Sequence, residues 1–253
     1  MCATCGCSDD AGVRVIDPSS AGHEHGHGHG HGHSHPEPDR TVLLEQDILA
    51  ANDRLAADNR TWLAARGIHT LNVMSSPGSG KTTLLARTIV DRGRTLPMSV
   101  IEGDQETIFD AERIRATGCR VVQINTGAGC HLDAGMLAKA LHTLAPPPRS
   151  TVFIENVGNL VCPALFDLGE AARVVVMSVT EGADKPLKYP HMFRTADVVL
   201  LNKIDLLPYV DFDVESFTED LTRVNPRPEV LCLSATTGTG LDEWYGWLDG
   251  RES

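Results

Sequence analysis

Seven short runs of valine, isoleucine and other apolar residues, separated by helix-like segments, constrain the fold of this chain most strongly. The runs are IHTLNVM, PMSVIE, CRVVQIN, TVFIE, ARVVVMSV, ADVVLLN and EVLCLSA. The helix-like segments include KTTLLARTIVDRG, DAERIRATG, HLDAGMLAKALHTL and LDEWYGWLDG. Unbroken apolar strands that alternate with helices are typical of a parallel sheet covered on both faces. Residues 68–253 are therefore predicted to form an α/β domain with a mostly parallel sheet, whose ligands bind at the carboxyl ends of the strands.

The residues before the first strand fall into two segments of different composition. Residues 1–38 are rich in Cys, His, Gly, Ser and Pro and carry almost no large apolar side chains. Such a segment buries too little surface to offset its ordering entropy, so we expect a disordered arm. Residues 39–67 run from a typical N-cap, Asp39, to Gly67, and predict one or two amphipathic helices packed on the domain. The apolar positions of this segment are Leu44, Ile48, Leu55, Trp62 and Leu63.

Charge and cysteine content exclude several function classes. A formal net charge of −12 argues against a nucleic-acid partner and against an anionic membrane surface. No apolar run reaches the roughly 18 residues that span a bilayer, and no signal peptide is recognisable. The seven cysteines are an odd number without a secretory context. We therefore expect a cytoplasmic protein whose thiols are reduced or bound to metal.

The first strand is followed by SSPGSGKTT, which resembles the phosphate-binding loop of nucleotide-binding proteins. Ser75 replaces the first glycine of that pattern, while Gly80, Lys81 and Thr82 match it. Small residues allow backbone N–H groups to approach phosphate oxygens, and the following helix adds its positive dipole end. Lys81 would contact the β- and γ-phosphates and Thr82 would bind Mg²⁺. The predicted nucleotide-binding residues of this loop are Gly78, Ser79, Gly80, Lys81, Thr82 and Thr83.

Two later loops indicate that the base is guanine. Asn202, Lys203 and Asp205 follow a clean strand in LLNKID. The Asp205 carboxylate can accept from both N1–H and the N2 amine of guanine, whereas adenine would leave it unpaired. In LSATTG, Ser234 and Ala235 lie where a second base-contacting loop belongs, with the Ala235 N–H available to the guanine O6. GTP is therefore the expected nucleotide.

Residues between these motifs are candidates for Mg²⁺ binding and hydrolysis. Asp104 and Glu155 each end an apolar strand and could reach Mg²⁺ directly or through water. The Gly158 N–H is placed to sense a γ-phosphate, and Thr107 lies in the expected first switch. The predicted catalytic set consists of Lys81, Thr82, Asp104, Glu155 and Gly158. No glutamine follows Gly158 to orient a water, so we expect slow hydrolysis, on the order of 10⁻⁴ to 10⁻² s⁻¹.

Two groups of soft ligands predict metal binding. Cys2, Cys5 and Cys7 in MCATCGC offer three thiolates, which suit Ni²⁺, Zn²⁺ or Cu⁺. Cys130, His131 and Cys162 lie in two loops that each follow a predicted strand, and would form an incomplete site open to water or to a second subunit. By contrast, we assign Cys119, Cys232, His69 and His142 structural positions, because they lie within strand or helix patterns.

The glycine-rich stretch GHEHGHGHGHGHSH predicts a flexible imidazole brush for weak metal storage. A purification tag and a plain spacer are the alternatives. The histidines concerned are His23, His25, His27, His29, His31, His33 and His35. Neutral imidazoles on a mobile chain bind several divalent ions weakly or moderately.

The spacing between Gly158 and Cys162 also suggests that nucleotide state and metal affinity are linked. Cys162 stands four residues beyond Gly158, so rearrangement around the γ-phosphate should displace it. If metal affinity differs between the GTP and GDP states, hydrolysis can drive capture or release of the ion.

As a whole the sequence resembles the HypB family, GTPases of the SIMIBI class that incorporate nickel during [NiFe]-hydrogenase maturation. The stretches that carry the resemblance are MCATCGC, the His-rich linker, NVMSSPGSGKTTLL, EGDQETIFDAERIRATG, GAGCHLDAGML, FIENVGNLVCPA, EGADKPLKYPHMF and LLNKIDLLPYV. The resemblance implies a cytoplasmic GTPase that dimerises with nucleotide, a HypA-type zinc-containing partner and nickel delivery to the hydrogenase large subunit.

The resemblance also assigns individual residues. It places high-affinity nickel at the N-terminal cysteines and nickel, with zinc as an alternative, at the domain cluster. Some relatives carry a further histidine where this sequence has Gly135, which leaves open whether the cluster holds one ion or two. Lys185 and Lys188 match a family loop that contacts nucleotide, across a dimer in one interpretation.

Two other functions fit parts of the sequence. A urease-type nickel GTPase shares the phosphate loop but normally pairs a Cys-Pro-His metal motif with a different second switch. A nickel store with a vestigial nucleotide site would not need the intact Lys81, Thr82 and Asp205. The hydrogenase role is favoured because ENVGNLVCP and the N-terminal cysteines are both present.

Overall fold

A computed structural model describes residues 40–104, 109–127 and 129–251. It contains a seven-stranded parallel sheet in which each of the seven predicted strands is found. The strands are β1 His69–Ser75, β2 Met98–Asp104, β3 Arg120–Asn125, β4 Thr151–Glu155, β5 Ala172–Ser178, β6 Val198–Asn202 and β7 Glu229–Cys232. Their order across the sheet is β3-β2-β4-β1-β5-β6-β7. The predicted fold class, a parallel sheet flanked by helices as in phosphate-loop nucleotide-binding proteins, is confirmed.

The pairing register brings the predicted phosphate and magnesium residues to one edge of the sheet. Central β1 pairs with β4 through Val73 and Glu155, and β4 pairs with β2 through Glu155 and Glu102. Because all three strands are parallel, their carboxyl ends lie side by side. Ser75, Asp104 and Glu155 therefore end neighbouring strands.

Nine α-helices and one 3₁₀-helix accompany the sheet in the described part of the chain. They are α1 Arg40–Ala64, α2 Lys81–Arg92, α3 Phe109–Arg115, α4 Ala134–Leu144, α5 Cys162–Leu165, α6 Lys185–Lys188, α7 Pro190–Arg194, the 3₁₀-helix Ile204–Tyr209, α8 Val214–Val224 and α9 Leu241–Asp249. The sequence patterns predicted α2, α3, α4 and α9. They did not single out α8, which is capped by Asp213 through bonds from Glu215 N and Ser216 N and buries Phe217 and Leu221.

Apolar clusters on the two faces of the sheet form the core. On one face, α2 and α9 cover β1, and buried Trp244 donates an Nε1–H hydrogen bond to Thr88 Oγ1 at 3.0 Å. A second cluster packs α4 and the end of α1 against β2 and β4, with Leu137 and Ile154 fully buried. A tightly packed core of this kind holds the strand ends at fixed positions.

The segment predicted as one or two helices is a single helix, α1, and its inward face differs from the predicted one. The compact unit that contains the sheet begins within this helix, at Leu49. From that residue onward, the side chains of Asn52, Ala56, Asn59 and Leu63 are buried, whereas Leu55 is 45% exposed. The inward stripe was missed because two of its four members are asparagines.

The remaining predictions for this segment have mixed outcomes. Ile48 is 48% exposed, Trp62 is partly buried, and Asp39 and the Leu44 side chain lie outside the described residues. In the described part of the chain, no helix combines the length and the apolar character that crossing a bilayer requires.

Candidate nucleotide and metal sites

The phosphate loop connects the end of β1 to the start of α2, in the order the sequence predicts. Gly78 and Gly80 adopt positive φ angles of 76° and 100°, a backbone conformation that favours glycine. A Cβ on Gly80 would lie 2.6 Å from Asn202 Nδ2, so this position also requires the absence of a side chain. The phosphate loop can therefore lie directly against the Asn202 side chain at the end of β6.

Lys81 is buried, and its ammonium group has a specific partner. Its Nζ donates to Ser75 Oγ at 2.8 Å. Burial lowers the pKa of Lys81, an effect that the nearby Glu155 opposes. The serine that replaces the first glycine of the phosphate-loop pattern therefore supplies a hydrogen-bond acceptor for the lysine.

Glu155 and Thr82 form the centre of a carboxylate-rich pocket. Thr82 Oγ1 donates to Glu155 Oε1 at 2.6 Å, and within the described residues the buried Glu155 Oε2 has no hydrogen-bond partner. Burial raises the pKa of Glu155 to about 7, with Lys81 and Thr82 opposing the shift. An orphaned carboxylate oxygen beside a hydroxyl and the half-buried Asp104 fits a hard divalent cation such as Mg²⁺.

These residues line an open cavity of about 470 Å³. Gly158 lies on its wall, and a Cβ there would be 3.0 Å from Pro77 Cα. Asp110 and Arg113 of α3 also line the cavity, although the sequence did not single them out. Thr107 of the predicted first switch lies outside the described residues.

Glu102 is a buried carboxyl group next to the site, and the sequence analysis did not single it out. It is 2% exposed, lies two residues before Asp104 on β2, and pairs in register with Glu155. Burial, reinforced by the charge of Glu155, raises its pKa to about 8. Strand alternation offered a signal, because residues two apart on a strand face the same side.

The predicted base-binding residues lie together, with Asn202 at the centre. Its Nδ2 donates to Ser79 O at 2.9 Å and its Oδ1 accepts from Ala235 N at 3.1 Å. The Ala235 N–H, expected to be available to the guanine O6, thus already has an acceptor that a base oxygen would have to share or displace. Lys203 Nζ donates to Gly78 O at 2.7 Å.

Two further members of the predicted base site differ in burial. Asp205 is exposed in the 3₁₀-helix that follows β6, and Ser234 is fully buried, where its Oγ accepts from Thr237 N at 3.1 Å.

The predicted domain metal cluster is assembled in the structure. Cys130, His131 and Cys162 bring their ligand atoms within 4.8 Å of one another. Cys130 Sγ lies 3.7 Å from His131 Nδ1, and the His131 ring stacks on Phe166 at a centroid distance of 3.9 Å. Burial lowers the pKa of His131, which favours the neutral imidazole that binds metals.

Cysteines and histidines assigned structural positions lie outside this trio. Cys119 and Cys232 are partly buried against the core, and burial raises the pKa of the Cys119 thiol to about 11. His69 is partly buried in β1 and His142 is exposed on α4. The N-terminal ligands Cys2, Cys5 and Cys7 and the seven histidines of residues 23–35 lie outside the described residues.

Glu181 connects the segment that contains Lys185 and Lys188, which form the two ends of α6, to the phosphate loop. Glu181 accepts from the Ser76 hydroxyl and from Ser178 N, and Lys185 Nζ lies 3.5 Å from its Oε2. Lys188 forms an exposed ion pair with Asp184 at 2.6 Å. Lys185 is thus connected to the phosphate loop within one chain.

A larger cavity of about 700 Å³ lies at the opposite edge of the sheet, where β1 and β5 begin. His69, Arg149 and Glu170 are among its lining residues, but the predicted nucleotide and metal residues that the structure describes are not. The described residues that the sequence predicts to bind nucleotide and metal therefore lie at the carboxyl ends of the strands and not at this cavity.

The chain is similar to known proteins over most of its length. The family model for the CobW/HypB/UreG nucleotide-binding domain matches residues 69–232. The hydrogenase maturation factor HypB of Rhizobium leguminosarum bv. viciae is 58% identical over 211 residues, which are 83% of this chain and 71% of that protein.

Two solved structures are also similar. HypB from Archaeoglobus fulgidus matches with a TM-score of 0.76 and 42% identity, over 81% of this chain and 100% of that one. HypB from Helicobacter pylori in complex with nickel matches with a TM-score of 0.75 and 38% identity, over 80% and 95% of the two chains. The chain therefore belongs to the HypB family of hydrogenase maturation factors.

Proposed function

We propose that this chain is a slow GTPase that delivers Ni²⁺ during [NiFe]-hydrogenase maturation and couples its nucleotide state to metal binding. The observation that carries the proposal is the shared position of two sites. The phosphate cavity and the Cys130–His131–Cys162 cluster both lie where parallel strands end, and the turn from Glu155 to Cys162 contributes to both.

In this proposal, the chain's own residues bind and orient GTP. Amides of the phosphate loop and the Lys81 ammonium hold the β- and γ-phosphates, and Asp205 selects guanine. Thr82, Glu155 and, directly or through water, Asp104 would hold Mg²⁺, which supplies charge neutralisation at the phosphates. The chain has no glutamine after Gly158 to orient a water, which supports slow turnover.

Nickel is the cargo of the cluster, and Zn²⁺ fits the same donors. Two thiolates and an imidazole suit borderline-soft divalent ions, and they leave a coordination position open. The nickel complex of the Helicobacter pylori relative supports the choice of metal. Cys2, Cys5 and Cys7 would provide a second, tighter nickel site, and the histidines of residues 23–35 a weak store.

The proposed partners follow from the family. They are a second copy of this chain in a nucleotide-dependent dimer, a HypA-type zinc or nickel protein, and the hydrogenase large subunit in the cytoplasm. Lys185 and Lys188 begin and end α6, and Lys185 is connected through Glu181 to the phosphate loop. Both lysines are proposed to contact nucleotide, within the chain or across the dimer.

Turnover of GTP by a Lys81→Ala variant tests the proposed activity. We expect a loss of about 10²–10³-fold in kcat relative to wild type, because the variant removes the ammonium group that stabilises charge on the transferred phosphoryl group. The matched control is Lys139→Ala on α4, an exposed lysine outside the cavity, which should retain wild-type turnover. ATP assayed in parallel should be hydrolysed far more slowly than GTP.

The same assay separates a GTPase from a nickel store. Equal turnover by wild type and Lys81→Ala would support a nickel store with a vestigial nucleotide site. A urease-type GTPase normally pairs a Cys-Pro-His metal motif with a different second switch, and the stretch ENVGNLVCP together with the N-terminal cysteines supports the hydrogenase role.

A further inference from the structure

Asn156 connects the phosphate cavity to the loop between β3 and α4 that carries Cys130 and His131, which we call the metal loop. It is 1% exposed and lies two residues before Gly158. Its Oδ1 accepts from Val157 N at 3.0 Å and from Leu132 N at 3.2 Å. Val157 lines the phosphate cavity, and Leu132 directly follows the cluster residue His131. One side-chain oxygen therefore bonds to a wall of the cavity and to the loop that carries two of the three ligands.

The other half of the Asn156 amide is anchored on the central strand. Its Nδ2 donates to Asn72 Oδ1 at 3.1 Å, and Asn72 Nδ2 donates to Glu170 Oε1 at 3.3 Å. Glu170 is in turn held by Arg173 Nε at 2.5 Å. This chain of hydrogen bonds fixes the orientation of the Asn156 side chain, since each of its members has a hydrogen-bond partner in the chain.

Leu132, the residue of the metal loop that bonds to Asn156, is tightly packed and has little room to move on its own. Leu132 is fully buried, and a Cβ on Gly103 would lie 2.8 Å from its Cδ2. The neighbouring His131 ring is held against Phe166. In such tight packing, a shift of the Leu132 amide is passed to His131 rather than absorbed by a side-chain rotation.

A second asparagine, on the other side of Gly158, holds the remaining ligand. Asn159 Oδ1 accepts from Val161 N at 2.7 Å and from Cys162 N at 3.3 Å. Gly158, the residue placed to sense a γ-phosphate, is thus flanked by two asparagines. One holds the His131 segment and the other holds Cys162.

We propose that Asn156 and Asn159 are positioning residues that transmit the nucleotide state to the metal cluster. This inference rests on the proposed coupling between GTP and metal binding. A γ-phosphate that draws the Val157–Gly158 backbone toward it moves the Val157 amide, and this changes the hydrogen bond between Asn156 Oδ1 and Leu132 N. The same movement shifts Asn159 and, through its hydrogen bond, the position of Cys162. The spacing of the ligands, and with it the metal affinity, then differs between the two nucleotide states.

The test measures Ni²⁺ affinity in two nucleotide states of the full-length chain. Cys2, Cys5 and Cys7 are changed to serine, so that thiolate-to-nickel absorption reports on the domain cysteines and not on the histidines of residues 23–35. In this parent we expect affinities for the GDP and non-hydrolysable GTP states that differ by about 5-fold or more. Asn156→Ala and Asn159→Ala should each reduce that ratio to within about 2-fold of one.

Asn52→Ala is the matched control. Asn52 Oδ1 accepts from Ala134 N at 2.9 Å, so from α1 it holds the first residue of α4, directly after the metal loop. Its other bond goes to Asp167 O rather than to Val157 or Gly158. This variant should weaken Ni²⁺ binding in both nucleotide states and keep the parent's ratio.

The outcomes are distinguishable. If Asn156→Ala keeps the ratio of Ni²⁺ affinities that the parent shows between the two nucleotide states, the inference is overturned and the proposed function stays intact. The same holds if the control Asn52→Ala loses that ratio. A parent ratio of one overturns both. If Asn156→Ala does not fold, the half-buried Asn159 decides, because an unchanged ratio in Asn159→Ala overturns the transmission.

Discussion

At the residue scale, two buried carboxyl groups on neighbouring strands have raised pKa values, and one of them, Glu155, lines the phosphate cavity. Glu102 and Glu155 face one another across β2 and β4, and burial raises the pKa of Glu102 to about 8 and that of Glu155 to about 7. A carboxyl group that holds its proton more tightly in the folded protein than in the unfolded chain stabilises the fold only while it stays protonated. Without a bound cation, ionisation of this pair therefore destabilises the domain.

Changing Glu102 to Gln should reduce the pH dependence of stability. In metal-free protein, the free energy of unfolding should fall as pH rises from about 4.5 through about 8, because the folded state binds more protons over that window. Glu102→Gln cannot ionise, so we expect its melting temperature to exceed that of wild type by about 2–6 °C at pH 8 and by little at pH 5. Thermal unfolding in the presence of a chelator measures this difference.

The matched variant for that measurement is Glu112→Gln, an exposed glutamate of α3. It should follow the wild-type pH profile. A Glu102→Gln protein whose gain in stability is the same at pH 5 and pH 8 would show that its effect does not come from ionisation.

At the scale of elements, α1 shows how polar residues can serve as an inward helix face. Asn59 Nδ2 donates to Ala134 O at 2.9 Å and to Leu168 O at 3.0 Å. Ala134 is the first residue of α4, and Leu168 lies in the loop before β5. The helix thereby satisfies backbone groups that would otherwise be buried without partners.

Asn59→Ala should lower the free energy of unfolding by about 1–3 kcal/mol, because two buried carbonyls lose their donor. Asp58→Ala, at the exposed neighbouring position, should change it by less than about 0.5 kcal/mol. Denaturant unfolding followed by circular dichroism gives both values. Equal changes in the two variants would mean that the two hydrogen bonds of Asn59 do not stabilise the domain, since alanine itself favours a helix at both positions.

The elements differ in how much of them the sequence predicts. Each of the seven strands is found, because an unbroken apolar run bounded by turn residues has few other stable solutions. The inward face of α1 was mispredicted at Leu55 because hydrophobic periodicity cannot count buried asparagines. Helix α8 was overlooked because acidic and threonine residues separate its buried Phe217 and Leu221.

Site residues follow the same division. The cluster of Cys130, His131 and Cys162 was predictable because its residue types carry metal chemistry in themselves. Asn156 was not, because its role depends on a hydrogen bond to Leu132, 24 positions away along the chain. A role that exists only as a contact between distant segments leaves no local pattern to recognise.

At the scale of the whole molecule, the proposed function assigns weak metal storage and GTP hydrolysis to different parts of the chain. The nucleotide residues and the cluster lie within the unit that starts at Leu49, whereas the histidines lie in residues 23–35. The groups that line the phosphate cavity come from the phosphate loop, α2, the ends of β2 and β4, the Val157–Gly158 turn, α3 and Lys203 after β6. Removal of the histidines should therefore change how many ions the chain holds without changing how it binds GTP.

Deletion of residues 23–35 from the full chain tests this separation. Seven imidazoles are removed, so equilibrium dialysis against Ni²⁺ should show a loss of roughly one to three ions per chain, while GTP turnover stays within about 2-fold of wild type. The complementary variant, Cys130→Ser with Cys162→Ser, should lose the domain ion and keep the histidine-bound ions. A deletion that strongly slows GTP turnover would contradict the separation, since residues 23–35 would then act on the nucleotide site and not only as a reservoir.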